Sequence, residues 1–250
     1  MLKISIITVS YNSAKTIEQT IQSVLSQRYS NVEYIIIDGA SQDETLSIIE
    51  KYRNKISVVI SEKDNGIYNA MNKGIKLATG DIIGILNSDD FYVDENVLND
   101  VATLFEHNKA DAVYADLQYV DAIDTRKIKR NWKSGKYKPG DFLFGWMPPH
   151  PTFFVKKELY QKYGLFNEEL KSAADYELML RFIHKHQISI DYLPRVIVKM
   201  RSGGHSNITT KNRIKANLED RKAWELNGLK PFFFTLFLKP LRKLNQFRVK

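Results

Sequence analysis

Residues 80–90 read GDIIGILNSDD, an apolar run from Ile82 to Leu86 that passes straight into Asn87, Ser88, Asp89 and Asp90. A short apolar run bounded by Gly80 and Asp81 fits a strand covered on both faces, as in a parallel sheet with helices above and below. In open sheets of that kind, ligands bind outside the carboxyl ends of the strands. The strand therefore delivers Asp89 and Asp90 to the place where such a sheet does its chemistry, and carboxylate oxygens suit hard cations such as Mg2+ or Mn2+. The competing reading is local: Ser88, Asp89 and Asp90 are also residue types that cap a following segment.

The N-terminal side repeats the pattern. Residues 4–9, 32–37 and 57–60 are β-rich apolar runs. Between them Ile17, Ile21, Val24 and Leu25 keep a helical period after Asn12 or Ser13 as cap. Ser41 with Glu44 predicts a capping box ahead of Leu46, Ile49 and Tyr52. Ile67, Ala70, Met71, Gly74, Ile75 and Ala78 share one helical face, ended by Gly80. Strands alternating with helices at this density specify βαβ units with right-handed crossovers. The expected fold is α/β, Rossmann-like and doubly wound, with a mostly parallel sheet flanked by helices. Each strand ends in a polar cluster (residues 10–12, 38–41, 62–65 and 87–90), and the four are expected to converge on one crevice. No G-x-G-x-x-G follows a strand and no G-x-x-x-x-G-K-[ST] occurs, so the glycine cradles of dinucleotide-binding and P-loop proteins are missing. A cation held near Asp89 is the remaining counter-charge for a bound phosphate.

Beyond Asp90, Leu98, Val101, Ala102 and Phe105 mark a helix and residues 112–120 a strand around Asp116. Residues 126–138 are basic and poorly periodic, and read as a hairpin or loop over the site. Residues 142–154 are rich in aromatics and proline, which excludes a long helix. Trp146 and His150 in this loop are candidate substrate contacts, against the alternative of a hydrophobic loop closing the core. A short helix over 158–163 stops at Gly164, and a stronger one begins at Ala173, with Asp175 and Glu177 in a first turn that favours acids by the helix dipole alone. Residues 188–193 and 196–200 read as two strands. The loop RSGGHSN, residues 201–207, is glycine-hinged and places His205 where it can close over a phosphate.

With 250 residues, 43% of them hydrophobic, the chain can bury one large domain with appendages. It has no cysteine, which excludes thiol nucleophiles, thiolate metal sites and disulfides and is compatible with a reducing cytoplasm. No apolar run approaches the roughly 18 residues of a membrane-spanning helix, and the first residues lack the core and cleavage site of a signal peptide. The net charge of +8 is local: residues 211–250 hold 11 Lys and Arg against 3 Asp and Glu, which leaves 26 of each sign in 1–210. A neutral body offers no basic face to nucleic acid.

Five ordered blocks, SIITVSYN, IIIDGASQDET, EKDNGIYNAMNKGIKLATGD, ILNSDD and ADYELMLR, together resemble the inverting family 2 glycosyltransferases of the GT-A fold, especially bacterial enzymes that build cell-surface polysaccharides. The likeness covers roughly residues 1–210. It implies a GT-A domain over 1–210, with a nucleotide-sugar donor, a UDP-sugar, on 1–90 and a lipid-linked or polysaccharide acceptor under 91–210. By position, Tyr11 resembles the aromatic residue that packs on the base, beside Thr8 and Asn12. Asp38, next to Gly39 and Ser41, resembles the carboxylate that accepts from uracil N3. Asp64, Gly66 and Asn69 fall in the segment that lines the ribose and diphosphate. Asn87, Ser88 and Asp89 occupy the family's D-x-D, which makes Asp89 the ligand of a divalent cation and Asn87 a ribose contact. Met71 stands where many relatives carry an arginine, so a metal, joined by Lys73 or His205, is expected to neutralise the diphosphate, and His205 is the second candidate metal ligand. Asp175 falls on the catalytic carboxylate, with Ala174 in place of the neighbouring glutamate, and Trp146, His150 and Tyr176 are the candidate acceptor contacts. The implied reaction is one displacement at the anomeric carbon, in which Asp175 takes the acceptor proton and the nucleoside diphosphate leaves opposite.

Two other classes fit the same crevice. A sugar nucleotidyltransferase is expected to carry a basic glycine-rich loop after the first strand, where this chain has Ser10-Tyr11-Asn12-Ser13. A noncatalytic nucleotide-sugar-binding protein tolerates loss of Asp175. Residues 211–250 form the expected C-terminal helical amphipathic extension. In KPFFFTLFLKPLRKLNQFRVK, Phe233, Leu236, Phe237, Leu241 and Leu244 keep helical spacing, with Lys239, Arg242, Lys243 and Arg248 elsewhere around the axis. The pattern predicts two short helices split at Pro240 and a peripheral anchor on an anionic membrane at its cytoplasmic face, against a docked helix or a dimer contact.

Overall fold

The structure, a computed structural model, describes residues 1–203, 210–242 and 246, leaving aside the side chains of 210–216. Strand β1 (Ile4–Ser10) shows why the apolar runs are continuous: Ile4 and Ile6 enter one core cluster, and Ile7 and Val9 enter the other across the sheet. In β2 (Val32–Asp38), Tyr34 and Ile36 alternate with Ile35 and Ile37 in the same way. A two-residue side-chain period with both faces buried needs apolar residues at every position.

β1 pairs in parallel with β2 and with β4 (Ile82–Ile85), and β2 pairs in parallel with β3 (Val58–Ser61). The crossovers are α1 (Ile17–Leu25), α2 (Thr45–Glu50) and α3 (Ile67–Leu77). α3 seals one face through Ala70, Met71 and Ile75; α1 and α4 (Val97–Asn108) seal the other through Ile17, Ile21, Val97 and Val101. The second half adds β5 (Asp90–Tyr92), β6 (Ala112–Val120), β7 (Ile128–Trp132), β8 (Phe154–Lys156) and β9 (Ile190–Arg201). The full sheet runs β3-β2-β1-β4-β8-β6-β9-β5, with β7 paired to β6. β8 is antiparallel to both its neighbours, while β6 and β9 are parallel.

Local readings are corrected in four places. The two strands expected over 188–200 are one, β9: Leu193 pairs with Ala115 and Val196 with Asp116, so Pro194 and Arg195 bulge out where proline has no N–H to donate. α1 starts after Thr16, on the Ser13 carbonyl rather than a side-chain cap. α2 starts at Thr45, whose N–H is taken by Asp43, and Ser41 turns back to Asp38 instead of forming a capping box. α3 ends at Leu77, three residues before Gly80. The basic segment 126–138 supplies β7, the outer arm of a hairpin, and α5 (Lys157–Tyr163) stops at Gly164 as expected.

α6 (Ala174–Met179) continues into a π-helical turn, Leu180–Lys185, and is covered by α7 (Thr210–Leu226) and α8 (Thr235–Arg242). Trp224 is fully buried in the larger core cluster and donates to the Tyr176 hydroxyl at 2.8 Å, and Asn227 donates to Glu177. The expected C-terminal extension is thus, through Arg242, part of the packed body. Pro240 sits inside α8 and does not divide two helices. Lys243, Leu244 and Arg248 lie outside the described residues. Among the described residues no helix is long and apolar enough to cross a membrane.

Candidate active site

The four strand ends meet, and hydrogen bonds tie them together. The Asn12 N–H donates to Ser41 Oγ, and the Gln42 N–H donates to Asn12 Oδ1, joining the β1 and β2 loops. The Ser13 and Ser88 hydroxyls lie 2.7 Å apart, joining the β1 loop to the end of β4. Asn12 and Ala40 both hold positive φ, 48° and 59°, at these corners, a strained conformation that the surrounding bonds maintain. A Cβ added at Gly39 would lie 3.1 Å from Asp64 Oδ2 and 3.4 Å from the Tyr11 ring, so Gly39 lets the β1, β2 and β3 ends close on one another. Tyr11 itself is 64% exposed at the crevice mouth.

Asp38 is fully buried. It accepts from the hydroxyls of Ser10, Ser41 and Ser61 and from the Ser41 N–H, which occupies about all four lone-pair sites of a carboxylate. It braces the crevice floor, contrary to the expectation of an open acceptor facing a base. Thr8 is likewise fully buried, its hydroxyl accepting from Tyr34 beneath the sheet. Gly66, at φ 118°, opens α3, and Asn69 donates to Glu168, which also accepts from Asn72, so this contact clamps the two halves together. Lys73 is held between Glu62 and Asp64, each at 2.7 Å. Its charge is already balanced, which corrects its expected role opposite a diphosphate.

At the end of β4, Asn87 Nδ2 donates to Asp90 Oδ2, while Asn87 Oδ1 and Asp90 Oδ1 are buried oxygens without a hydrogen-bond partner. Burial, with the charge of Asp89 added, pushes the Asp90 carboxyl well above the usual range. The Thr20 hydroxyl fixes the turn by donating to the Ser88 and Asp90 carbonyls, and Arg201 donates to the Asp89 carbonyl and to Gln19. The Asp89 carboxylate and the buried Asn87 amide oxygen are the oxygen donors of this strand end, a type of ligand that suits Mg2+ or Mn2+. Among the described residues no three His, Asp or Glu side chains gather into a complete metal cage. His205, the other expected metal ligand, lies outside the described residues.

Asp175 stands in the first turn of α6, where the Tyr68 hydroxyl donates to its Oδ1 at 3.3 Å. His150 is close enough for the Asp175 charge to act on it. Burial nevertheless lowers the His150 pKa, and the ring packs edge-on to Phe166. Tyr119 connects the two acidic centres: burial raises its phenol, the Arg130 guanidinium 3.7 Å above its ring opposes this, and the charges of Asp90 and Asp175 both add to it. The Tyr68 contact sets Asp175 against the first turn of α3, beside the β3 end of the crevice. Tyr68, Tyr119 and Arg130 escaped the sequence reading. The signal for the last two was the β6–β7 pairing, which puts Arg130 opposite Tyr119.

Two expected acceptor contacts are corrected. Trp146 is buried against Tyr114, Tyr137 and Phe142, with its N–H donated to the Ser134 carbonyl. Tyr176 is buried beneath Trp224 and Lys239. Both are core residues; His150 is buried as well, and the Asp175 charge acts on it.

The comparisons with known proteins agree with the fold. Residues 5–164 match the family model described as glycosyl transferase family 2. An uncharacterized glycosyltransferase of Rickettsia prowazekii is 30% identical over 253 residues, covering 99% of this chain and 75% of its own length. The poly(ribitol-phosphate) β-N-acetylglucosaminyltransferase TarS of Staphylococcus aureus is 26% identical over 76% of this chain, which spans 34% of that protein. The crystal structure of TarS 1–349 with UDP-GlcNAc superposes at a TM-score of 0.69 and 22% identity, covering 90% of this chain and 65% of that one. The mannosyltransferase PcManGT of Pyrobaculum calidifontis, with GDP-Man and Mn2+, gives a TM-score of 0.67 at 19% identity, over 95% of this chain and 69% of that one. The chain belongs to glycosyl transferase family 2: it is a glycosyltransferase with the GT-A fold.

Proposed function

We propose that the enzyme inverts configuration as it moves a sugar from a UDP-sugar to a hydroxyl of a lipid-linked or polysaccharide acceptor in cell-surface glycan synthesis. The observation that carries this reading is the contact of Tyr68, in the first turn of α3 on the donor half, with Asp175 at the start of α6, 3.3 Å away. Residues 1–90 form the donor half, with Tyr11 stacking on the base at the mouth and Asn12, Gly39, Ser41, Asp64, Gly66 and Asn69 shaping the groove beside it. Asp38 acts beneath the base by fixing Ser10 and Ser41. Residues 91–210 form the acceptor half.

Asp175 is the base: a carboxylate oriented by the Tyr68 hydroxyl takes the proton of the attacking hydroxyl, and a positioned base of this kind is worth about 10²- to 10⁴-fold. One base and one displacement give inversion. Asp89 and Asn87 Oδ1 would hold a divalent cation, and Ser88 keeps that turn in place through Ser13. Such a cation, when bound, offsets charge on the leaving diphosphate. His150, kept uncharged by burial, contacts the acceptor beside Asp175. UDP is favoured because UDP-GlcNAc occupies the structure of TarS, to which this chain is similar.

The test is a nucleotide-release screen with UDP-, dTDP- and GDP-sugars in Mn2+. Release of UDP, with product of opposite anomeric configuration by NMR, is the expected result. Release of pyrophosphate would reassign the enzyme as a nucleotidyltransferase, and tight binding without turnover would make it a sensor.

A further inference from the structure

α8 is built inside out for a helix facing water. Its inward side carries the polar anchors. The Thr235 hydroxyl donates to the Leu143 carbonyl at 2.6 Å, and Lys239 Nζ lies 2.7 Å from both carboxylate oxygens of Asp220 and 3.7 Å from the Tyr176 ring centroid. Leu236 packs on the larger core cluster between them. The backbone at Gly145, φ 75°, approaches so closely that a Cβ there would lie 2.5 Å from Lys239 N. The outward arc is apolar instead: Phe237 is 71% and Leu241 54% exposed, with Pro240 beside them and Phe233, 89% exposed, just ahead of the helix. Phe232 and Phe144, also exposed, extend the patch, and their rings lie 6.3 Å apart. A surface helix normally puts its apolar stripe toward the core, and contiguous exposed aromatics mark a contact surface.

The charge around this patch selects its partner. Lys230 and Arg242 flank it in exposed positions. A second copy docked through the same face would bring two basic rims together, whereas an anionic bilayer offers an apolar interior under a negative surface. We propose that Phe144, Phe232, Phe233, Phe237 and Leu241 form a rigid foot that enters the headgroup region of an anionic membrane. Because Lys239 sits on Tyr176, the residue after Asp175, the foot fixes the acceptor side of the crevice against the lipid surface. This orientation rests on the proposed lipid-linked acceptor; the foot itself does not.

The test is co-sedimentation of the full chain with vesicles of phosphatidylcholine, with and without phosphatidylglycerol, at low salt. It compares wild type with the combined Phe233→Ser, Phe237→Ser and Leu241→Ser variant. All three positions are exposed, so the variant should keep its thermal midpoint and its nucleotide release from donor. Expected are binding by wild type to the anionic vesicles only, weakened by salt, and a loss of at least about tenfold in the variant. Three results overturn the foot: no binding by wild type, equal binding by the variant, or a dimer in gel filtration that the variant dissociates. Vesicle binding without nucleotide release would leave the foot standing and remove the donor assignment.

Discussion

Tyr68→Phe deletes the hydroxyl that reaches Asp175 while keeping the ring stacked on Phe166 at 5.6 Å. Turnover should fall about tenfold, the scale of one hydrogen bond to a charged group, with donor KM nearly unchanged. An unaltered kcat would make that hydroxyl a bystander. Asp89→Asn should weaken cation-dependent donor binding and turnover together, with partial rescue by excess Mn2+. Full wild-type activity in a strong chelator would refute the cation site. Asp89 is a candidate legible in the sequence because it stands where an apolar run stops at a strand end, whereas Asp175, in a first turn that favours acids by the helix dipole alone, is a candidate through the family resemblance. Trp146 and Tyr176 misled for the opposite reason. An aromatic ring looks the same in a core and in a binding cleft, and here its place is decided by partners distant in sequence or in a segment read as an appendage, Ser134 for one and Trp224 for the other.

Elements with a strict period were read correctly, and those held by tertiary contacts were not. β1 to β4 announce themselves because both sheet faces demand apolar residues. The merger of two predicted strands into β9 depends on the parallel partner β6, which tolerates the bulge at Pro194 and Arg195. α8 kept its predicted helical spacing, but its apolar positions turned out to face two ways, Leu236 inward and Phe237 outward, which spacing alone cannot separate. The clamp makes a clear prediction. Lys239→Met takes the ammonium from the buried Asp220 and should cost about 3 kcal/mol in urea unfolding. Phe237→Ser on the outer arc should change stability by less than about 0.5 kcal/mol. Equal effects would mean that α8 does not dock as described. Deleting residues 231–250 is for the same reason a poor test of membrane binding, since it removes the clamp along with the foot.

At the scale of the whole molecule, the sheet edge opposite the strand-end crevice is tightly bonded. There Glu33, 8% exposed, joins β1, β2 and the entry to β4. Burial alone would raise its carboxyl, but hydrogen bonds from Ser5, Thr79 and Lys3 outweigh it and bring the pKa from 4.5 down to about 2. The folded value lies below the unfolded one, so this contribution, about 3 kcal/mol, is complete above the unfolded pKa and is lost as pH falls toward 2. Urea midpoints of wild type should drop between about pH 5 and about pH 3, and Glu33→Gln should be less stable at the higher pH and flatter across that interval. Equal slopes would dismiss Glu33 as a source of acid sensitivity. The division of labour within the crevice is tested most directly by Asp175→Asn, measured for nucleotide release in the presence of acceptor and for donor affinity by calorimetry. A base that acts only on the acceptor proton predicts turnover lowered by about 10²-fold or more, with donor Kd within a few-fold of wild type. Turnover above about a tenth of wild type, or a donor Kd raised in step with the lost rate, would contradict it.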